Sequence, residues 1–179
     1  YWVQHFTGLC YLQLGQPAAS LACYSNCVAL RPTYAWPWMF RGLCYGQLGR
    51  YDDALLEFAK AEELDPNVFN VYVNRGAVLV TLQRFDEAKK DFEAAAAITP
   101  SSAKPYVNIA VANFEEGRLI ARSAVQLDGV SDAERLALEQ ERYDAALVAL
   151  AKASETERAP NHPGIHQLRG RILLGKGSP

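Results

Sequence analysis

The sequence predicts an all-α fold, a stack of helical hairpins, on three observations. Gly8, Gly42 and Gly76 stand 34 residues apart, Tyr24, Phe58 and Phe92 keep the same interval, and Pro32, Pro66 and Pro100 close each unit. A fixed period of this length marks a repeat array, in which one hairpin cannot bury its own apolar face and its neighbours must cover it.

Each element follows from local chemistry. Residues 1 to about 14 carry apolar residues at helical spacing, Gly15-Gln16-Pro17 makes a turn, and a second helix follows to about residue 30. Glycine takes the left-handed conformation that ends a helix, and proline in the next first turn lacks only an N–H that is unpaired there anyway. The second unit repeats this near 35–48 and 51–64, broken at Gly49-Arg50, and the third near 69–82 and 85–98. Asp52, Asp86 and Asp144 each follow an Arg and an aromatic residue, where a negative charge complements a helix N-terminus. The small residues Gly8, Gly42, Gly76 and Ala110, with Ala54 and Ala88, let the helices approach.

The fourth unit starts in register with Tyr106, Ala110 and Gly117, but Arg142-Tyr143-Asp144-Ala145-Ala146-Leu147, the match to Arg50-Tyr51-Asp52-Asp53-Ala54-Leu55, arrives 24 residues late. In the added stretch, 118–141, Ile120, Ala124 and Leu127 continue an apolar stripe, Asp128-Gly129 marks a turn, and Ser131 with Glu134 forms a capping box before Leu136. Both helices of this hairpin are therefore expected to be longer by about three turns. Gly117 stands where Gly15 and Gly49 end their helices, so a kink or a break there is the competing expectation. His166, Gly170, Leu173 and Gly177 then open a fifth unit without its second helix, a cap on the last apolar face that carries Arg169, Arg171 and Lys176. The chain is thus one domain with repeats at about 1–34, 35–68, 69–102 and 103–162, an arm at 118–141, and a capping helix at 163–177.

Composition excludes several functions. A net charge of −2 and the lack of a basic run argue against nucleic acid. No apolar run reaches the ~18 residues of a membrane span, and a cytoplasmic location is the expectation. Cys10, Cys23, Cys27 and Cys44 cluster near the start, but Cys10 and Cys44 are one repeat apart and Cys27 falls where Ala61 and Ala95 recur. They read as small packing residues, with Cys23 expected to be exposed, and neither a disulfide nor a metal site is expected. The histidines His5, His162 and His166 are far apart in sequence, and no nucleophile or phosphate-binding motif is present. Glu62-Glu63 and Glu115-Glu116 read as solvent-facing helix positions. No catalytic residue, cofactor or metal is expected.

Trp38, Gly42, Tyr45, Ala54, Phe58 and Pro66 have a spacing that resembles the tetratricopeptide repeat. The resemblance implies a right-handed superhelical solenoid whose first helices line a concave groove for a peptide or helix of a partner protein. On that groove it places Trp36, Met39 and Phe40, then Asn70, Asn74, Lys104 and Asn108, with Trp2, His5 and Phe6 ahead of them, although for Trp2 and Phe6 packing on a preceding unit is the favoured expectation. Asn74 and Asn108 are one repeat apart, and an amide can hold an extended peptide backbone, or else bridge two helices. For Trp36, Met39 and Phe40 the residues themselves favour core packing over ligand contact. Of the cations and amides that grip acidic chaperone tails in this family, only Asn74 and Lys104 match; Met39, Leu43 and Asn108 depart, so that binding is not expected. Ala29-Leu30-Arg31-Pro32 with Ala35-Trp36 and Arg41-Gly42 looks like the arrays appended to bacterial serine/threonine protein kinases. That likeness implies, as an alternative, a regulatory or self-associating module acting through the 118–141 arm.

Overall fold

A computed structural model describes residues 1–122, 130–156 and 163–177. Among these residues the chain forms nine α-helices and no strand: α1 (Trp2–Gln13), α2 (Pro17–Leu30), α3 (Ala35–Gln47), α4 (Tyr51–Leu64), α5 (Phe69–Thr81), α6 (Phe85–Ile98), α7 (Lys104–Arg122), α8 (Asp132–Glu155) and α9 (Pro163–Lys176). We call α1, α3, α5 and α7 the leading helices and α2, α4, α6 and α8 the trailing ones. Contacts group the chain into two units, residues 1–78 and 79–179, with the boundary inside α5.

In the first unit, the turns work as their residue types require. Gly15 and Gly49 take φ of +67° and +73°, and Pro17 opens α2. Each hairpin is closed by a ring over a glycine. A Cβ placed on Gly8 would lie 2.8 Å from Tyr24 Cε2, and one on Gly42 would lie 2.9 Å from Phe58 Cε1. Both rings are fully buried, and each such burial contributes roughly 1.5–3 kcal/mol. Ser20 Oγ donates to the Gly8 carbonyl at 2.9 Å, tightening the first hairpin.

The same trailing helix also covers the next hairpin. The Tyr24 ring stacks on Phe40 of α3, with centroids 4.8 Å apart and planes 8° from parallel, and Cys44 Sγ donates to Ser20 Oγ at 3.3 Å. The Arg41 guanidinium meets the Glu57 carboxylate through two hydrogen bonds of 2.8 and 2.7 Å while lying over the Trp38 ring.

The cysteines differ from expectation. Cys23 is buried and Cys10 is exposed. The residue before each locking ring sits beneath the glycine: the Cβ of Cys23 is 3.3 Å from a Cβ built on Gly8, and that of Glu57 is 3.2 Å from one on Gly42. Glu57 is long enough to reach outward to Arg41, whereas a cysteine side chain is covered whole. Cys44, one repeat on from Cys10, is buried where α2 packs on α3.

In the second unit, Gln83 holds φ of +59° at the position where the first two repeats have Gly15 and Gly49. α7 has 19 residues and α8 has 24, against 13 for α5 and 14 for α6. Gly117 neither ends nor breaks α7, which runs on to Arg122. Instead it closes the hairpin, because a Cβ there would lie 2.7 Å from Tyr143 Cε1 and 3.3 Å from Arg142 Cβ. Ala110 and Leu150, the register equivalents of Gly42 and Phe58, are fully buried in one cluster with Phe114 and Tyr143. Gly117 and Tyr143 each lie seven residues further toward the hairpin tip, so the same lock recurs two turns out.

Ser131 and Glu134 cap α8 reciprocally, with Glu134 N to Ser131 Oγ at 3.3 Å and Ser131 N to Glu134 Oε2 at 2.8 Å. Because α8 starts there, Asp144 lies in a helix interior, not at an N-terminus, and accepts a hydrogen bond from Lys176 of α9. α9 buries Ile165, Leu168 and Ile172 against α7 and α8. The expectations for Ala124, Leu127, Asp128-Gly129 and His162 fall outside the described residues.

Gly117→Ala is expected to lower stability by about 1–3 kcal/mol, as overpacking does in a tight core. Helix propensity alone would raise it by about 1 kcal/mol, so the sign of the change in a urea titration reads the Tyr143 contact directly.

Candidate functional site

Two positions on each leading helix carry the candidate surface. The first is held by Trp36, Asn70 and Lys104, and the second by Phe40, Asn74 and Asn108, each set spaced by one repeat. Trp36, Phe40, Asn70, Asn74 and Asn108 are half-buried, and Lys104 is exposed. Trp2 and Phe6 hold the same positions on α1 and are exposed. The chemistry therefore changes from aromatic through amide to cationic along the sequence of repeats.

In the first unit the rings form a connected set. Trp2 stacks on Phe6 at 6.1 Å, His5 meets Phe6 edge-on at 5.4 Å and Phe40 at 5.5 Å, and Trp36 lies 6.2 Å from Phe40. Met39 is not on this surface. It is 1% exposed and accepts a hydrogen bond from Asn74 Nδ2 at 3.4 Å. Its unbranched, polarizable side chain fills core space that a stiffer residue would leave empty. Asn74 thus bridges α5 to α3 while keeping part of its amide in solvent. Phe40 is shared between the surface and its stack on Tyr24.

His5 is the titratable group of this set. Its Nδ1 is buried without a hydrogen-bond partner among the described residues. Burial holds its pKa below the ordinary value of 6.5, since an imidazolium among rings loses its water. Between α4 and α5, Arg75 donates to Glu62 and holds that carboxyl below its usual range.

In the second unit, Lys104 is the first residue of α7 and Asn108 lies one turn on. An open cleft of about 480 Å³ lies between α6, α7 and α8, with Lys89, Tyr106, Asn113, Val148 and Lys152 among its lining. Lys89 pairs with Asp86 at 2.9 Å and with Glu116 at 3.0 Å. Desolvation pulls the Lys89 pKa down, but the two carboxylates outweigh it and the net shift is upward. Sequence reasoning missed this cleft because Val148 and Lys152 come after the 24-residue slip in register, which hides how they fall against α6 and α7.

The carboxylate pairs are engaged in ion pairs: Glu63 with Lys60, Glu115 with Arg118, and Glu116 with Lys89. Among the described residues no cluster of three or more His, Cys, Asp or Glu is placed to hold a metal ion. Among the same residues no helix is long and apolar enough to cross a membrane.

Hairpins of 34 residues, locked ring over glycine and closed by a left-handed turn, define a helical repeat protein. Family models for the tetratricopeptide repeat match residues 4–34, 35–68 and 69–102, and the chain belongs to that family. No curated protein sequence matches it. Among solved structures it is similar to MamA 41-end from Desulfovibrio magneticus RS-1, at 21% identity over 97% of this chain and 84% of that one, with a TM-score of 0.70. MamA AMB-1 matches at 26% identity over 84% and 75%, with a TM-score of 0.59. The first TPR of Spaghetti (RPAP3) bound to an HSP90 peptide matches at 21% over 80% and 94%, also at 0.59. At 21% identity the likeness concerns the fold.

The depressed pKa of His5 gives a pH dependence with a definite sign. As pH falls, the unfolded chain takes up the proton first, so stability is full above 6.5 and declines as pH drops from there toward the folded-state value. Thermal melts at about pH 7.5 and 5.5 should show a loss for the native chain that His5→Phe reduces.

Proposed function

We propose that this chain is a protein-interaction module that receives a peptide or helix of a partner protein against its leading helices. Trp36 supplies the apolar anchor in the first unit, beside the free edge of Phe40 and the amides of Asn70 and Asn74. Lys104 and Asn108 offer polar contacts at the equivalent positions of the second unit. The reading is carried by one observation: on α3 and α5 these two positions keep aromatic and amide groups half-buried beside the buried Pro37, Met39, Val71 and Val73. Aromatic anchors with adaptable amides beside them are what a peptide-binding surface needs.

Structural neighbours support the class of function. The second TPR domain of human RPAP3 is described in complex with an HSP70 peptide, and the first TPR of Spaghetti is bound to an HSP90 peptide. The present surface favours a different ligand, because an acidic tail needs paired cations, and position 43 holds a leucine and position 39 a buried methionine. A ligand with an apolar residue for Trp36 and free backbone groups for the amides suits it better.

Selection from a displayed library of helical and extended peptides provides the test. Selected peptides should lose at least about tenfold in affinity against Trp36→Ala with Asn70→Ala, and equal affinity for the double variant sinks the reading. A second reading, a regulatory or self-association module of a larger protein such as a serine/threonine kinase, is favoured by the long fourth hairpin. Its α8 exposes Leu136 and Leu138 near the tip. On that reading Leu136→Glu with Leu138→Glu should turn a self-associating sample monomeric in sedimentation velocity; an unchanged profile counts against it.

A further inference from the structure

The cleft between α6, α7 and α8 has a counterpart in the first unit that is filled. Two repeats before Tyr106, Ile109 and Asn113 stand Trp38, Arg41 and Tyr45, and with the 24-residue slip allowed for, Ala145 and Ala149 correspond to Asp53 and Glu57. In the first unit these positions carry arginine–carboxylate pairs laid over rings. Arg41 binds Glu57 at 2.8 and 2.7 Å over Trp38, and Arg50 binds Asp53 at 2.7 Å over Tyr45. In the fourth hairpin Ile109 stands in place of Arg41, an alanine in place of each carboxylate, and Asn113 in place of Tyr45. Volume and charge are lost together, and the result is the open space of about 480 Å³.

The polar groups around that space have capacity to spare. Trp38 Nε1 donates to the Pro32 carbonyl and Tyr72 Oη to the Pro66 carbonyl, both at 2.9 Å, whereas Tyr106 in the same register makes no such bond to Pro100. Asn113 is 4% exposed and uses its Nδ2 on the Ile109 carbonyl at 3.0 Å, which leaves its amide oxygen as an acceptor. Lys89 is already held by Asp86 and Glu116. Glu93 on α6 and Lys152 on α8 are exposed, and among the described residues neither is in an ion pair. The apolar lining of Ile109, Val148 and Ala149 thus has a free acid on one flanking helix and a free base on the other.

We infer that this cleft is a second binding site, for a segment of a partner protein with a bulky apolar side chain between a basic and an acidic one. The apolar group enters the slot, the basic group meets Glu93, and the acidic group meets Lys152 with the Tyr106 hydroxyl as a further donor. Charge complementarity selects this occupant: a purely apolar ligand leaves both charges unanswered, and a ligand of one sign faces a like charge. In an extended segment side chains two apart share a face, so basic–x–apolar–x–acidic presents all three groups together. A backbone N–H of the same segment suits the Asn113 oxygen. Tyr106, Ile109 and Asn113 lie on the face of α7 opposite Lys104 and Asn108, so the site is separate from the surface proposed above.

The probe is the peptide acetyl-Lys-Gly-Trp-Gly-Glu-amide carrying fluorotryptophan, titrated with the full chain and followed by fluorine NMR. It should bind with a Kd of about 1 mM or tighter. Val148→Asp, at an exposed position, should weaken binding at least about tenfold, and Leu56→Asp, at the equivalent exposed position of α4, should not. Ile109→Arg with Ala149→Glu, which copies the pair of Arg41 and Glu57, should abolish binding in a chain that still melts cooperatively. Lys152→Glu should reject this peptide and accept one with lysine at both ends, and Glu93→Lys should accept one with glutamate at both ends. No binding at about 1 mM, binding that survives Val148→Asp, or charge reversals without the matching exchange of peptide overturns the inference. So does loss of binding on Trp36→Ala, which puts the peptide on the leading helices, or equal affinity for free fluorotryptophan, which makes a small zwitterion the occupant. Library-selected peptides that need Trp36, beside a failure of this peptide to bind, fault the cleft alone.

Discussion

A glycine beneath a buried ring sets the distance between the two helices of a hairpin, and most other features follow from that distance. Gly8 under Tyr24, Gly42 under Phe58 and Gly117 under Tyr143 repeat one geometry, down to the preceding residue whose Cβ also sits below the glycine. Any side chain in place of the glycine would push the backbones apart. Once the helices are that close, the ring cannot be contained by its own hairpin. Tyr24 emerges on the far side and stacks on Phe40, so closing one hairpin prepares the face on which the next one packs. Cooperativity between neighbouring repeats thus has a specific carrier in the first unit, a single tyrosine held by two hairpins.

This division of labour also explains which residues remain for recognition. Seam positions take small or compact apolar groups because a trailing helix must fit over them. The positions of Trp36 and Phe40 fall beside the seam, where side chains are half-buried on α3 and α5 and residue type differs from repeat to repeat. Variation there runs from tryptophan to asparagine to lysine, and from phenylalanine to asparagine. Such freedom beside a rigid scaffold is where binding groups belong.

Most of the fold was legible in the sequence because repetition amplifies weak signals. A single glycine predicts little, but three at one interval with a ring and a proline in phase leave few alternatives. Legibility failed where a residue's role depends on its depth in the molecule. Cys23, the one cysteine outside the repeat register, was expected to be exposed, yet the close approach at Gly8 buries it. Met39 fell on the predicted binding face, yet its flexible side chain turns inward and meets Asn74. Gly117 matched the turn glycines by position, but its fate was decided by Tyr143, 26 residues away, which no local rule connects to it. Asp144 was expected at a helix N-terminus, but α8 starts at the Ser131 cap, which the sequence itself also marked.

The recurrence of the lock at Gly117 and Tyr143 makes hairpin length a quantised variable. Seven residues are about two helical turns, a displacement that returns a side chain almost to its original face. Adding seven to each of two antiparallel helices moves the meeting point of glycine and ring outward without rotating either helix relative to the other. An addition of five to one helix of the pair would turn Tyr143 by about 140° away from its glycine. The fourth hairpin could therefore lengthen and keep its lock because glycine and ring moved outward together, seven residues on each helix.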